Sequence, residues 1–352
     1  MTIILTLLAV LVTVATTRAE IHETDYKQMV GTLNVLAICV QTSDAANTTT
    51  YTTQSSVMAL VQSRTLQSSY NRLTLNYTVA PNVLMLPQTA YYYNHINSLE
   101  TRFETLRVDC ATAAQQAGYD ISPTDYLSYD RLVVNLPTAI NINERVYHTV
   151  FNSNTISTAI MHELGHSYLM RHSGLWKVTD GNPLNPNGRF AEYGDTFDVM
   201  GDTYAKDTVH DYNMYHKYWA GWIDDSSVAV VNQSGTYSFT IYRFDNVNAT
   251  GLLAVRIPID STYEYWVGFR RSFLNLQDAR KASATGAYII RPNLASAVPV
   301  PSPAPTPNPS RDGFTQLIDT NASTSTQADA CLQVGETLND TVNGIKIGRA
   351  HV

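Results

Sequence analysis

The chain has 352 residues, of which 44% are hydrophobic and 15% are charged. This length favours two domains and is enough to bury one large core or two ordinary ones. The formal net charge of −7, with no run of Lys and Arg, argues against nucleic acid or an anionic membrane as the main partner.

The first residues predict a secretory signal peptide over residues 1–19. Residues 3–14 are almost wholly apolar, and small residues ending at Ala19 come before Glu20. This is the pattern of a signal cleaved after Ala19, although no Lys or Arg precedes the apolar run. The alternative is a membrane anchor, but the run is shorter than the ~20 residues of a spanning helix. We therefore expect a secreted, extracellular protein with no membrane span after signal cleavage.

Glycosylation sequons fit the same extracellular compartment. Asn-x-Ser/Thr sequons begin at Asn47, Asn76, Asn232, Asn248, Asn321 and Asn339. In a chain with a signal peptide, we expect some of these asparagines to be glycosylated. The cysteines Cys39, Cys110 and Cys331 permit one disulfide whose pairing the sequence leaves open. One disulfide is too few for a disulfide-built scaffold, so the core must supply the stability.

The elements predicted before residue 225 alternate between strand and helix. They are a buried strand at 34–40, a helix at 55–70, a strand at 73–79, a helix at 98–118, a strand at 131–136 and a helix at 155–170. The continuous apolar run of the first strand is typical of a strand buried on both faces. Ser153 or Asn154 could cap the last helix. This order predicts a mixed α/β domain over residues 20–225.

From about residue 227 the sequence changes to short strand-like runs. These runs lie at 228–231, 236–242, 252–257 and 263–270. Gly, Asn and Asp separate them, a spacing typical of an all-β unit. We therefore predict a smaller, β-sandwich-like domain over residues 226–352. Within it, prolines at alternate positions over 298–309 predict an extended surface loop.

The most informative stretch is His-Glu-Leu-Gly-His at residues 162–166. On a helix, His162 and His166 lie on one face, so both imidazoles can reach a single metal ion. Zinc lowers the pKa of its bound water to about 7, and Glu163 beside that water can take its proton as the water attacks a peptide carbonyl. The pattern predicts a zinc site in which Glu163 is the general base.

A candidate third ligand, His172, lies ten residues after His162. From an unbroken helix His172 would point away from the other two histidines, so the chain must turn between His166 and His172. Three imidazoles leave a fourth position for water, which is the arrangement of a catalytic rather than a structural zinc site.

His-Glu-x-x-His followed by His172 at the tenth position resembles the metzincin superfamily of zinc metallopeptidases. The segment 192–201 is similar to the Met-turn region of its gametolysin family. In that superfamily a methionine in a tight turn lies beneath the metal site, and Met200 matches its position. The resemblance extends by pattern over residues 31–225 and is specific across 160–202. It implies an α+β fold in which a mixed sheet carries an active-site helix and a Met-turn. The smaller all-β domain predicted from the short strands would follow it.

One position departs from the metzincin pattern. Metzincins usually carry glycine at the seventh position after the first histidine, and this chain has Leu169 there. Leucine resists the positive φ that glycine supplies. The chain therefore either turns differently at Leu169 or continues its helix to near Gly174. In the second case, Glu192 or Asp195 could take the place of His172 in a site with two histidines.

Other candidates for a site role are weaker. They are His210, His216, Tyr193, Tyr204 and Tyr215. His210 or one of the tyrosines could stabilise an oxyanion, but packing is the favoured role for the tyrosines and a surface or core position for the histidines.

Two further possibilities concern calcium and latency. Asp180 with its neighbouring asparagines hints at a Ca²⁺ loop, but the EF-hand spacing is incomplete and a polar loop is favoured. Cys39 could block the zinc as a latency thiolate, although its place in a buried strand favours a packed thiol.

The leading hypothesis is a secreted zinc-dependent endopeptidase that acts on protein or glycoprotein substrates. The resemblance to gametolysins implies extracellular matrix or cell-wall glycoproteins as the substrate class. The alternative is a zinc-containing, non-proteolytic adhesion or carbohydrate-binding glycoprotein. A third possibility is a structural cell-surface glycoprotein whose histidine motif is accidental, which the Met200 segment disfavours.

Overall fold

A computed structural model describes residues 3–9, 29–124, 127–140, 142, 144–146, 149–153, 156–168, 170–201, 211–270, 285–294 and 314–350. Several sequence predictions lie outside these residues. They concern the cleavage point at Ala19, the turn at Leu169, the candidates Tyr204 and His210, and the proline-rich segment 298–309.

The described residues contain five α-helices. They are α1 (Tyr51–Ser68), α2 (Ala90–Asn94), α3 (Leu99–Gln116), α4 (Ser157–Ser167) and α5 (Met214–Trp219). The N-caps of α1 and α3 are Thr50 and Ser98, whose side chains accept a hydrogen bond from a backbone N–H of the first turn. The N-cap of α4 is Ile156, without a side-chain cap bond. The prediction that Ser153 caps this helix is therefore wrong, and the alternative, Asn154, lies outside the described residues.

Strands make up most of the remaining structure. Up to residue 191 they are β1 (Ile3–Ala9), β2 (Gly31–Gln41), β3 (Leu73–Val79), β4 (Leu84–Met85), β5 (Arg131–Asn135), β6 (Glu144–Val146), β7 (Thr149–Asn152), β8 (Ser173–Lys177) and β9 (Arg189–Ala191). The later strands are β10 (Val228–Val230), β11 (Gly235–Ile241), β12 (Ala254–Pro258), β13 (Glu264–Gly268), β14 (Tyr288–Pro292), β15 (Thr315–Leu317), β16 (Thr337–Asp340) and β17 (Ile345–Ala350).

A six-stranded sheet forms the first half of the molecule. Its order is β3-β2-β5-β7-β6, and β4 pairs with the end of β2. All pairs are parallel except β6 with β7. Alternate residues of β2 face opposite sides, because Val35 and Ala37 join the core cluster of α1 and α4, whereas Leu36 and Ile38 join that of α3. The continuous apolar run that predicted a buried strand is therefore explained by helices on both faces.

A seven-stranded sheet connects the two halves of the sequence. Its order is β10-β12-β13-β14-β15-β8-β9. Strand β8 follows His172 directly, and it pairs in parallel with β15 from the C-terminal part of the chain. The sheet thus crosses the predicted boundary between residues 225 and 226. The chain is a mixed α/β structure compatible with the predicted α+β class, and the division into two domains stays a prediction.

A four-stranded sheet has the order β11-β1-β17-β16. Strand β1 lies within the predicted signal peptide and pairs antiparallel with both β11 and β17. Signal cleavage remains a prediction. Among the described residues, no helix has the length and hydropathy required to cross a bilayer.

The three cysteines are all free and buried, so the disulfide that their number permits does not form in this structure. Burial raises the pKa of the Cys39 thiol to about 11. Cys39 is therefore a neutral, packed thiol at neutral pH, as its place in a buried strand indicated.

Candidate metal centre

Helix α4 brings the first two histidines of the motif together. His162 and His166 are one turn apart, with ring centroids separated by 4.8 Å. His162 is fully buried, whereas His166 is partly accessible. The helix is apolar around them, and Ile160, Met161 and Leu164 pack into the core beneath the six-stranded sheet. The core therefore holds the helix that carries both imidazoles.

The chain turns immediately after α4, which ends at Ser167. Tyr168 N donates to Leu164 O and Gly165 O at 3.0 and 2.9 Å, and Met170 N donates to Gly165 O at 3.0 Å. These bonds close the end of the helix and reverse the chain. The reversal returns His172 to the other two imidazoles, with ring centroids 5.2 Å from His162 and 4.7 Å from His166.

The three histidines form a cluster that could hold a metal ion. Their candidate ligand atoms all lie within 4.8 Å of one another. The Nε2 atoms of His166 and His172 are only 2.9 Å apart. No other group of three or more His, Cys, Asp or Glu side chains with this property occurs among the described residues.

Each imidazole is oriented through its Nδ1 atom. His162 Nδ1 lies 2.8 Å from Val199 O, and His166 Nδ1 lies 2.9 Å from Met170 O. A carbonyl oxygen only accepts, so Nδ1 carries the proton in both rings, and the neutral ring presents a lone pair on Nε2. His172 Nδ1 lies 2.6 Å from Glu192 Oε1, which gives the same tautomer.

The three imidazoles are suited to bind a cation. Burial lowers the pKa of His162 to about 3, with the charge of His172 as the next cause. Burial also lowers the pKa of His172 to about 4, assisted by Arg171. At neutral pH these two rings are therefore neutral. The Nε2 lone pairs of His166 and His172, 2.9 Å apart, repel each other unless both bind a positive ion, and three imidazoles are a common ligand set for zinc.

Glu163 follows the first ligand of the cluster in α4 and is 2% exposed. A carboxylate so deeply buried is costly unless it has polar or cationic neighbours. Its position next to His162 in the helix is where the sequence predicts a general base.

Met200 packs directly against the backbone of α4. The side chain is fully buried, and a Cβ atom added to Gly165 would lie 2.4 Å from Met200 Sδ. The preceding residue, Val199, supplies the carbonyl that orients His162. Met200 N donates to Asp198 Oδ1 at 2.8 Å, and Gly201 N donates to Asp198 O at 2.9 Å, so Asp198 organises this turn.

The two carboxylates that were alternatives to His172 have other partners. Glu192 is exposed and accepts from His172 Nδ1, so it orients this ring. Asp195 is buried and accepts a short hydrogen bond from the hydroxyl of Tyr288. Burial and the neighbouring Asp198 raise the pKa of Asp195.

Three of the weaker candidates, Tyr193, Tyr215 and His216, have different surroundings. The ring of Tyr193 lies 4.1 Å from that of His172, and its backbone has a positive φ of 60°. Tyr215 instead packs edge-on against Trp266 at 5.6 Å, in the core of the C-terminal part. His216 is buried beside Asp198, with 3.3 Å between Nδ1 and Oδ2. Tyr193 therefore contacts a ring of the histidine cluster, whereas His216 acts on the cluster through its charge, which adds to the effect of burial in lowering the pKa of His162 and His172.

The candidate calcium loop is held by its own hydrogen bonds. Asp180 accepts from Asn182 N at 3.1 Å and from Asn185 Nδ2 at 2.6 Å. Asn185 in turn accepts from Asn187 N at 2.8 Å. These bonds are those of a polar turn, and calcium binding stays a prediction.

The chain matches no protein-family model, and no curated protein matches it. The resemblance to metzincins therefore rests on the motif residues alone.

Proposed function

We propose that this chain is a zinc-dependent endopeptidase. The observation that supports the proposal is the convergence of His162, His166 and His172, each with Nδ1 directed at an oxygen acceptor. The buried carboxylate of Glu163 follows the first of them. Neutral imidazoles favour zinc over Mg²⁺ or Ca²⁺, which prefer oxygen ligands.

His162, His166 and His172 would hold the zinc ion. When bound, zinc supplies Lewis acidity, which polarises a peptide carbonyl and acidifies water. Glu163 accepts a proton from the attacking water and then donates it to the amine leaving group, so the enzyme regains its starting protonation state. The acceptors Val199 O, Met170 O and Glu192 keep the three rings in the required tautomer.

The proposed substrates are extracellular proteins or glycoproteins. Secretion is inferred from the apolar N-terminus and the sequons, and the matrix or cell-wall class is inferred from the resemblance to gametolysins. Met200, packed against Gly165 under the histidines, is consistent with that resemblance.

Hydrolysis of a mixed peptide library tests the proposal. We expect the zinc-loaded chain to cleave peptides, and Glu163→Gln to lower kcat by about 10²–10⁴-fold because the proton acceptor is lost. Zinc content measured by atomic absorption should be unchanged in this variant. Glu100→Gln is the matched control, since Glu100 is an exposed helical glutamate of α3, and it should cleave like the wild type.

Two results would contradict the proposal. Zinc binding without cleavage of any peptide would favour the non-proteolytic, carbohydrate-binding or adhesion alternative. Equal cleavage by the wild type and Glu163→Gln would show that Glu163 is not the base.

A further inference from the structure

The C-terminal strand β15 contacts the third histidine of the cluster. Thr315 N donates a long hydrogen bond of 3.4 Å to His172 O. The side-chain oxygens of Thr315 and Ser173, the residue after His172, are 2.8 Å apart. The Phe314 ring lies 5.9 Å from the ring of His172. The backbone that carries His172 is therefore bound to a strand some 140 residues away in sequence.

Thr315 belongs to a fully buried polar cluster. Its members are Ser173, Asp198, Asn213, His216 and Thr315, all at most 1% exposed. Ser173 Oγ donates to Asp198 Oδ2 at 2.8 Å, so Thr315 is the donor to Ser173. Asn213 Nδ2 donates to Thr315 Oγ1 at 3.1 Å and also to Asp198. Because the cluster lies away from water, loss of the Thr315 hydroxyl removes hydrogen bonds to Ser173 and Asn213 that water cannot replace.

The same cluster reaches the turn that carries Met200. Asp198 accepts from Ser173 on one oxygen and from Met200 N on the other, at 2.8 Å each. Ser173 N also donates to Met200 O at 2.8 Å. His172 and Met200 are therefore fixed relative to each other through Ser173 and Asp198.

A second set of contacts holds this turn from the C-terminal part of the chain. The hydroxyl of Tyr288 in β14 donates to Asp195, and Arg270 Nη1 donates to Phe197 O. All four residues are buried. Two separate strands of the seven-stranded sheet thus contact the segments around the histidine cluster: β15 at His172 through Thr315, and β14 at the Met200 segment through Tyr288.

We propose that Thr315 and Tyr288 are positioning residues of the metal site, so that the C-terminal strands form part of the zinc centre. Thr315 fixes the backbone of His172, and Tyr288 fixes the turn of Met200. The presence of zinc in this site is taken from the proposed function. The new element is a role for the C-terminal strands, which the His-Glu-x-x-His motif does not include.

Zinc affinity of the full chain tests this inference. Competition with a chromophoric chelator measures the dissociation constant of zinc. We expect Thr315→Val to weaken zinc binding by about 10–100-fold, the usual effect of removing a group that orients a ligand. Thr315→Ser retains the hydroxyl and should bind zinc like the wild type. Absorption spectra of the Co²⁺-loaded proteins should show altered coordination in Thr315→Val alone.

Tyr265→Phe is the matched control for loss of a buried hydroxyl. Tyr265 lies in β13 of the same sheet, within a separate core cluster, and donates to Asp340 Oδ2 of β16 at 2.9 Å. It should lose thermal stability like Thr315→Val and keep wild-type zinc affinity. If Thr315→Val fails to fold, Tyr288→Phe tests the second contact, with the same expected loss of affinity.

The outcomes separate this inference from the proposed function. Wild-type zinc affinity in Thr315→Val, or in Tyr288→Phe where the first variant is unfolded, would overturn the positioning role alone. An equal loss of affinity in Tyr265→Phe would also overturn it, because the effect would then be general destabilisation. Zinc binding without peptide cleavage would overturn only the peptidase, and a wild-type chain that binds no zinc would overturn both.

Discussion

At Gly165, helix α4 lies directly against the side chain of Met200. The motif His-Glu-x-x-His leaves this position open, so the sequence pattern does not require glycine there. The structure requires glycine at this position, because an added Cβ would lie 2.4 Å from Met200 Sδ and 3.0 Å from Tyr212 Cε1. The small residue allows the methionine to lie against the helix backbone between the two histidines.

We expect Gly165→Ala to destabilise the protein. Alanine favours the helix over glycine by about 1 kcal/mol. Overpacking a filled core costs about 1–3 kcal/mol. The sulfur must move, and both Met200 and Tyr212 are fully buried, so neither can swing into solvent. The clash should therefore dominate, and urea denaturation of the metal-free protein should show a lower free energy of unfolding.

The double variant Gly165→Ala/Met200→Ala separates the gain in helix propensity from the clash with the Met200 sulfur. With the sulfur removed, Gly165→Ala should be less destabilising than in the wild type, or stabilising. A cycle of the four proteins measures this coupling. Strict additivity of the two substitutions would show that the contact with Met200 does not determine the cost.

The spacing of the three histidines predicted the position of two rings but not of the third. The spacing of His162 and His166 predicted that they share a helix face, which the structure confirms. The spacing of His172 did not determine where its ring lies, because its position depends on how α4 ends. That end is set by the bonds of Tyr168 and Met170 to the last helical turn.

At the scale of elements, the end of β2 is held by the loop that follows it. Asn47 Nδ2 donates at 2.9 Å to Val40 O and to Asn135 O, which lie at the ends of the adjacent strands β2 and β5. Asn47 is also the first residue of a sequon. The amide nitrogen that would carry a glycan is thus the one that joins these strand ends.

We expect glycans at Asn232, Asn248 and Asn339 of the secreted protein and none at Asn47. The first three side chains are exposed, whereas a glycan on Asn47 would break its hydrogen bonds. Mass spectrometry of peptides deglycosylated in ¹⁸O-labelled water measures the occupancy of each site. High occupancy at Asn47 in folded, secreted protein would contradict this expectation.

Removal of the amide provides an independent check that does not require secretion. Asn47→Ala leaves two buried carbonyls without this donor and should cost about 1–3 kcal/mol. Asn232→Ala, at an exposed position, should change the free energy of unfolding by less than about 0.5 kcal/mol.

At the scale of the whole molecule, the two halves of the sequence share buried contacts. Strands β8 and β15 pair across the predicted boundary. The buried Lys217 Nζ donates to Asp211 Oδ2 at 2.8 Å and, across the boundary, to Phe244 O at 2.9 Å. Tyr70 also donates to Phe244 O. Neither half can separate without exposing unpaired strand edges and a buried charge.

We therefore expect the metal-free protein to unfold in one cooperative transition. Differential scanning calorimetry should give a single endotherm, with a van't Hoff enthalpy close to the calorimetric one. Two resolved transitions, the second of which survives in a fragment of the chain, would instead support two independent domains. Proteolysis in the region of residue 225 would then release a folded piece.

The sequence by itself determined the local features of this protein. Apolar runs predicted β2, α1 and α3 to within a few residues, because this signal depends on neighbours in the chain. The His-Glu-x-x-His spacing determined which two imidazoles share a helix face. The change to short strands after residue 227 was also read correctly from turn residues.

Only the tertiary structure decided how distant segments complete the site. It placed His172 against His166, Met200 against Gly165, and Thr315 beside Ser173. It also showed that β8 belongs to the same sheet as the C-terminal strands. These contacts join residues that are far apart in the chain and pack into a common core. No local pattern in a single sequence indicates them.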